Sequence, residues 1–159
     1  MVARLDAAAV RRAFLGLLVC AIVGTWAVPG KAFDKVNTDT SGLALKGYDT
    51  VAYFTEGRAM KGESTFSYTW HTAKWYFASA ANRDRFAADP EHFAPQYGGY
   101  CAGNMTDGKV ADSDPEAWKI INGKLYFTGS KAGIKWFSEN AAEAIKQADE
   151  NWQKLLDQR

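Results

Sequence analysis

A thiol with glycines on both sides stands in Tyr97-Gly98-Gly99-Tyr100-Cys101-Ala102-Gly103. The chain's other cysteine, Cys20, lies in an apolar N-terminal run that reads as a cleaved signal, so Cys101 is expected to be the sole thiol of the mature protein. No internal disulfide is then available. A lone thiol in an oxidising compartment is inert, metal-bound, reactive or paired with another molecule. Met105 follows four residues later, and His71 and His92 are the only histidines. Cysteine, methionine and histidine together suit monovalent copper. These types nominate Cys101, Met105 and His92 as ligands of a copper-type soft metal ion. Cys101 by itself would instead serve thiol-redox chemistry.

Each nomination competes with a plainer reading. A free cysteine often packs as a small apolar residue, and methionine often fills gaps. His71 falls in a hairpin turn and reads as solvated. Tyr48, Asp49, Tyr97 and Tyr100 are candidates for hydrogen bonds around the sulfur. Asp112, Asp114 and Glu116 read as a solvated loop, with Asp114-Pro115 starting a turn. No Ser/His/Asp set, phosphate loop or paired-carboxylate motif has a convincing context, so the sequence does not point to an enzyme.

The N-terminus gives an address. Arg4, Arg11 and Arg12 form a basic start, Phe14 to Val28 is an uncharged apolar run, and small residues surround a cut after Ala32. That order is a secretory signal over residues 1–32. The apolar run is shorter than the roughly 20 residues that span a bilayer, so no stable membrane anchor is expected after cleavage. Arg11-Arg12-Ala13-Phe14-Leu15 matches a twin-arginine export core at Arg11, Arg12, Phe14 and Leu15. An ordinary secretory signal is the alternative. Either way the protein is expected in a bacterial periplasm or outside the cell.

Residues 33–159 have the size of one domain. The whole chain carries 19 basic and 18 acidic residues. Four basic residues against Asp6 leave with the signal, so the mature chain is slightly acidic. No basic patch emerges, which argues against a nucleic-acid partner. Aromatic residues make up 14% of the chain. Each large ring removes roughly 150–250 Å² from water, so a core can form without disulfides.

The elements that must position Cys101 follow from periodicity. Residues 66–77 alternate as a hairpin turning at His71-Thr72-Ala73, and 118–129 form a second hairpin around Asn122-Gly123. Ser79 and Ser130 read as helix N-caps, with helices to about Asp89 and Phe137, and Pro90 opens a turn through Phe93. A last amphipathic helix starts near Asn140 and carries Ala144, Ile145, Ala148, Trp152 and Leu155 on one face. Residues 33–42 read as a loose lead-in and 47–54 as a helical turn running into a strand. No repeat or low-complexity tract stands out. Trp70, Trp75, Phe77, Phe86 and Trp118 are expected in the core of a compact α+β domain.

The stretch from Tyr76 to Phe86, with Asp89-Pro90-Glu91-His92-Phe93 after it, resembles the YHS domain family. In that family a strand leads into Cys-Ser-x-x-Cys at a helix start, then Phe and an Asn/Asp-Pro-x-x-Tyr/Phe stretch. "GYDTVAYF", "FAPQYGGYCA", "DPEAWKIINGKLYF" and "ADENW" resemble the exported branch of YHS-domain proteins, and the likeness runs from Gly42 to Trp152. It implies a small treble-clef-like fold with two hairpins and a C-terminal helical extension. Metal-associated members use cysteines as soft ligands beside copper or heavy-metal transporters, which implies a metal-transport or redox partner protein. The two motif cysteines align with Ala78 and Asn82, neither of which supplies a thiolate. Some exported relatives are described as selenoproteins, which implies redox chemistry if selenium replaces this sulfur. The family fold implies that Cys101 sits near the helix start at Ser79 and Ala80. Three functions follow: a soft-metal module centred on Cys101, a thiol-redox protein, and a non-catalytic binding or scaffold domain.

Overall fold

The computed structural model describes residues 34–158. The expected signal, with Arg11, Arg12, Phe14 and Leu15, lies outside the described residues. The fold is mixed α+β with two small antiparallel sheets.

The chain builds one plan twice. In the first half, helix α1 (Ala52–Thr55) leads to strands β1 (Glu63–Trp70) and β2 (Ala73–Phe77) and helix α2 (Ala80–Ala88). A short helix, α3 (Pro90–Phe93), crosses to the second half. There α4 (Ala102–Met105), β3 (Asp114–Ile121), β4 (Lys124–Thr128) and α5 (Lys131–Glu139) repeat the series, and α6 (Ala141–Asp157) closes the chain. Glu63 and Asp114, Phe77 and Thr128, Ser79 and Ser130, and Ala88 and Glu139 are each 51 residues apart. Both hairpins carry a register shift at the same place, between Glu63 and Ser67 and between Asp114 and Trp118.

Upstream of each hairpin the correspondence continues with a spacing of 52. Leu45-Lys46-Gly47 and Tyr97-Gly98-Gly99 both run through positive φ. The Asp49 N–H donates to the Met60 carbonyl, and the Cys101 N–H to the Ala111 carbonyl, each at 2.9 Å. This internal repeat corrects the expectation of none. The halves keep Gly47/Gly99, Tyr48/Tyr100, Ser79/Ser130 and Phe86/Phe137, but most packed positions differ in type. Backbone plan is preserved where self-similarity of sequence is faint.

Local chemistry explains the elements. His71-Thr72 and Asn122-Gly123 both hold left-handed φ, the pair of conformations that matches strand twist in a two-residue hairpin. Ser79 Oγ accepts from the Asn82 N–H, and Ser130 Oγ from the Gly133 N–H, each at 3.1 Å. These serines cap α2 and α5 as expected. Asp89 does the same for α3 through the His92 N–H.

Three expectations change. The lead-in is tied down: Val36 is buried and the Asn37 N–H donates to the Gly98 carbonyl at 2.8 Å. Residues 47–54 form a buried turn and α1 with no strand, because Asp49 diverts the backbone N–H groups of Val51 and Ala52 to its own carboxylate. Asp114-Pro115 belongs to β3, although Asp114 still accepts locally from the Glu116 N–H.

The first core gathers Trp75, Phe77 and Phe86, with Trp70 and Tyr68 packed against it. The second holds Tyr97, Met105, Tyr126 and Phe137 under Ala144 and Ala148 of α6. A third joins Tyr53, Leu125 and Phe127, with Trp118 partly buried beside them. Of the expected core rings, Trp75, Phe77 and Phe86 are buried, while Trp70 and Trp118 are partly so.

Candidate functional site

Cys101 is the N-cap of α4 and forms a parallel bridge to Phe127 of β4. Its S–H donates to Asn104 Oδ1 at 3.2 Å, and its Sγ accepts from the Gly129 N–H at 3.3 Å. The residue is 4% exposed. The cover is thin, because Gly129 and Asn104 are themselves exposed. A side chain at Gly103 would begin only 3.8 Å from the sulfur.

The neighbouring helix start is that of α5, not that of α2 as expected. The repeat supplies the reason: each turn serves the hairpin and helix of its own half. At the α2 start the partner is Asp49, fully buried. Its Oδ2 accepts from the Ala78 N–H at 2.8 Å and from Asn82 Nδ2 at 2.7 Å. Its Oδ1 accepts from Val51 and Ala52 N–H at 2.9 and 3.2 Å. Ala78 and Asn82 are thus bound to one carboxylate. Their repeat mates are Gly129 and Gly133, beside and beyond Cys101.

The other nominated ligands lie in different settings. Met105 is fully buried among Tyr97, Tyr126 and Phe137, and its N–H donates to the Cys101 carbonyl. His92 sits on α3 with its ring 5.1 Å from Phe54 and 4.6 Å from Phe93. His71 is in the first hairpin turn, 4.0 Å from the Trp70 ring. The hydrogen bonds of the Cys101 sulfur go to Asn104 and Gly129. Among the described residues no group of three or more His, Cys, Asp or Glu side chains is placed to hold a metal ion.

Asp49 is committed to α2, and the Tyr97 hydroxyl donates to Asp149 Oδ1 at 2.8 Å, so neither serves the sulfur. Tyr48 carries the Lys61 ammonium 4.2 Å above its ring. Asp112 is no free loop acid. It pairs with Lys46 at 2.9 Å and accepts from Asn37 Nδ2 at 2.8 Å. Partial burial alone would raise its carboxyl, but the bonds to Lys46 and Asn37 hold it below the ordinary carboxylate value.

The sequence assigned the large rings to core, and so missed a cleft that several of them share. Its volume is about 290 Å³, and Trp70, Trp75, Tyr97, Trp152, Glu91 and Lys35 are among its lining residues. It forms where the first hairpin meets the last turns of α6. Trp70 and Trp75 lie 6.1 Å apart, and Trp152 stands edge-on to Tyr97 at 6.0 Å. Burial, followed by the bond and charge of Asp149, pushes the Tyr97 phenol well above the ordinary tyrosine value. The available signal was the pair Trp70 and Trp75 bracketing a tight turn. A second cavity of about 280 Å³ is lined by Asn37, Lys46, Asp112 and Ser113 among others, and its Lys46 and Asp112 already bind each other.

No family model, no curated protein and no solved structure matches this chain.

Proposed function

We propose that the chain is an exported YHS-type domain that works as a non-catalytic binding module, with the aromatic cleft as its ligand-facing site. The observation that carries this reading is the cleft itself. A concave cavity lined by apolar and aromatic side chains with a few placed polar groups is the usual form of a small-molecule site. The partly exposed Trp70 and Trp152, with Val36, Leu156 and the buried Trp75 and Tyr97, form its apolar wall, and Lys35 and Glu91 carry opposite charges beside it. The resemblance from Gly42 to Trp152 supports the family, as does β2 ending at Phe77 ahead of a serine-capped α2. A treble-clef-like arrangement and export through Arg11-Arg12 belong to the same proposal.

The binding test is a thermal-shift and tryptophan-fluorescence screen of small aromatic and cationic compounds. A compound that stabilises the wild type and loses its effect in Trp70→Ala supports the reading. Absence of any stabilising compound, or shifts unchanged in the variant, removes it. For export, replacing Arg11 and Arg12 by lysine strands precursor in the cytoplasm. Normal export of that variant leaves the general secretory route.

A second reading places function on Cys101, as a thiol-redox centre or a monovalent-copper ligand. The sulfur's two hydrogen-bond partners, Asn104 and Gly129, are both exposed, which favours it. Iodoacetamide labelling and a copper(I) competition assay, each on wild type and Cys101→Ser, test it. Labelling only after denaturation, with equal copper uptake by both proteins, makes the sulfur packing.

A further inference from the structure

We propose that the aromatic cleft takes a compact organic cation, a quaternary or tertiary ammonium compound. This rests on the binding-module reading above and names its ligand class. Aromatic faces carry negative potential and attract cations, indole most of all. The cleft offers the partly exposed indoles of Trp70 and Trp152, with the buried Trp75 and Tyr97 behind them.

A carboxylate stands at the rim. Glu91 lines the cleft, is exposed, and forms no ion pair among the described residues. Lys35 also lines it, with the exposed Asp34 as its neighbour in sequence. Glu91 and Lys35 are thus the carboxylate and the ammonium that line the cavity, and Glu91 is the group that a bound cation meets. An anion would meet Glu91 and the negative ring faces. A neutral aromatic compound would gain packing but nothing from Glu91. The volume of about 290 Å³ lies at the small end of ligand sites, which selects a compact head group over an extended chain.

The test compares choline with 3,3-dimethylbutan-1-ol, which has the same shape but no charge. Binding is read by tryptophan fluorescence and by calorimetry. Choline binds about tenfold more tightly than the alcohol, the preference that ring faces and one carboxylate supply. Glu91→Gln weakens choline several-fold and leaves the alcohol unchanged. Trp70→Leu keeps an apolar wall, is milder than truncation, and narrows the preference in the same direction. Equal binding of choline and the alcohol overturns the cation assignment while the cleft stands as a binding site. Binding of neither, with no compound of the wider screen bound, removes the cleft reading itself.

Discussion

Asp49 and Cys101 occupy corresponding places in the two halves of the molecule. Asp49 Oδ2 accepts from the Ala78 N–H at 2.8 Å, and Cys101 Sγ accepts from the Gly129 N–H at 3.3 Å. Ala78 and Gly129 are themselves 51 residues apart. Each side chain therefore joins its own turn to the strand–helix junction of its own half. Asp49 holds four donors and Cys101 one, so the two positions differ in how much structure depends on them.

Asp49→Ala strands three backbone N–H groups and the Asn82 amide in a buried site. Each buried unpaired donor costs roughly 1–3 kcal/mol. The variant should lose more than about 3 kcal/mol in urea unfolding. A midpoint unchanged from wild type would show that the turn is held by packing alone.

Cys101→Ser keeps nearly the same volume and retains a donor for Asn104 and an acceptor for Gly129. Its thermal unfolding curve should stay near that of wild type, with a cost below roughly 1.5 kcal/mol, the scale of one ordinary hydrogen bond. A loss of several kcal/mol would make the sulfur a structural centre on the scale of Asp49.

Gly98→Ala tests the anchoring of the lead-in. Gly98 has φ of 61°, and a Cβ there would collide with the Lys35 carbonyl. The added methyl also opposes the bond from the Asn37 N–H to the Gly98 carbonyl. Destabilisation by about 2 kcal/mol or more should follow, with faster amide exchange at Asn37. Slow exchange at Asn37 in the variant would refute the anchoring role.

Trp75→Ala should cost about 3–5 kcal/mol, since truncating a buried ring removes transfer energy and leaves a cavity. Trp75 is 1% exposed and packs 5.3 Å from Phe86. That loss is a large part of a typical stability of about 5–15 kcal/mol. An unchanged melting temperature would contradict the burial of this strand face.

Alkali should unfold the protein from within its second core. Burial, then the charge of Asp149, pushes Tyr126 up to about 12, and burial raises Tyr97 and Tyr53 further. An unfolded tyrosine titrates near pH 10. A raised folded value means that the stabilisation is complete below about pH 10 and is lost as pH rises through about 12. Urea midpoints should fall across that window, and Tyr126→Phe should lessen the fall. A flat profile from pH 9 to pH 12 would disprove the linkage.

The sequence by itself determined the hairpins, the helix caps and the apolar stripe of α6. Those depend on near neighbours: a two-residue turn at Asn122-Gly123, a serine three residues before the N–H it accepts from, an i, i+3, i+4 spacing. It also nominated Cys101, because a glycine-flanked single thiol is visible without any coordinates. The tertiary structure decided what each nominee touches. Cys101 meets Gly129, 28 positions on, and Asp49 meets Asn82, 33 positions on. No local pattern encodes such pairs. The repeat was hidden for the same reason: Trp75 and Tyr126, or Phe77 and Thr128, fill matching backbone positions with different volumes. The cleft arises only when α6 carries Trp152 to Tyr97, 55 residues earlier in the chain, against the first hairpin. Hydrophobic burial is non-directional, so composition shows that the rings will pack but not which of them stay open to a ligand.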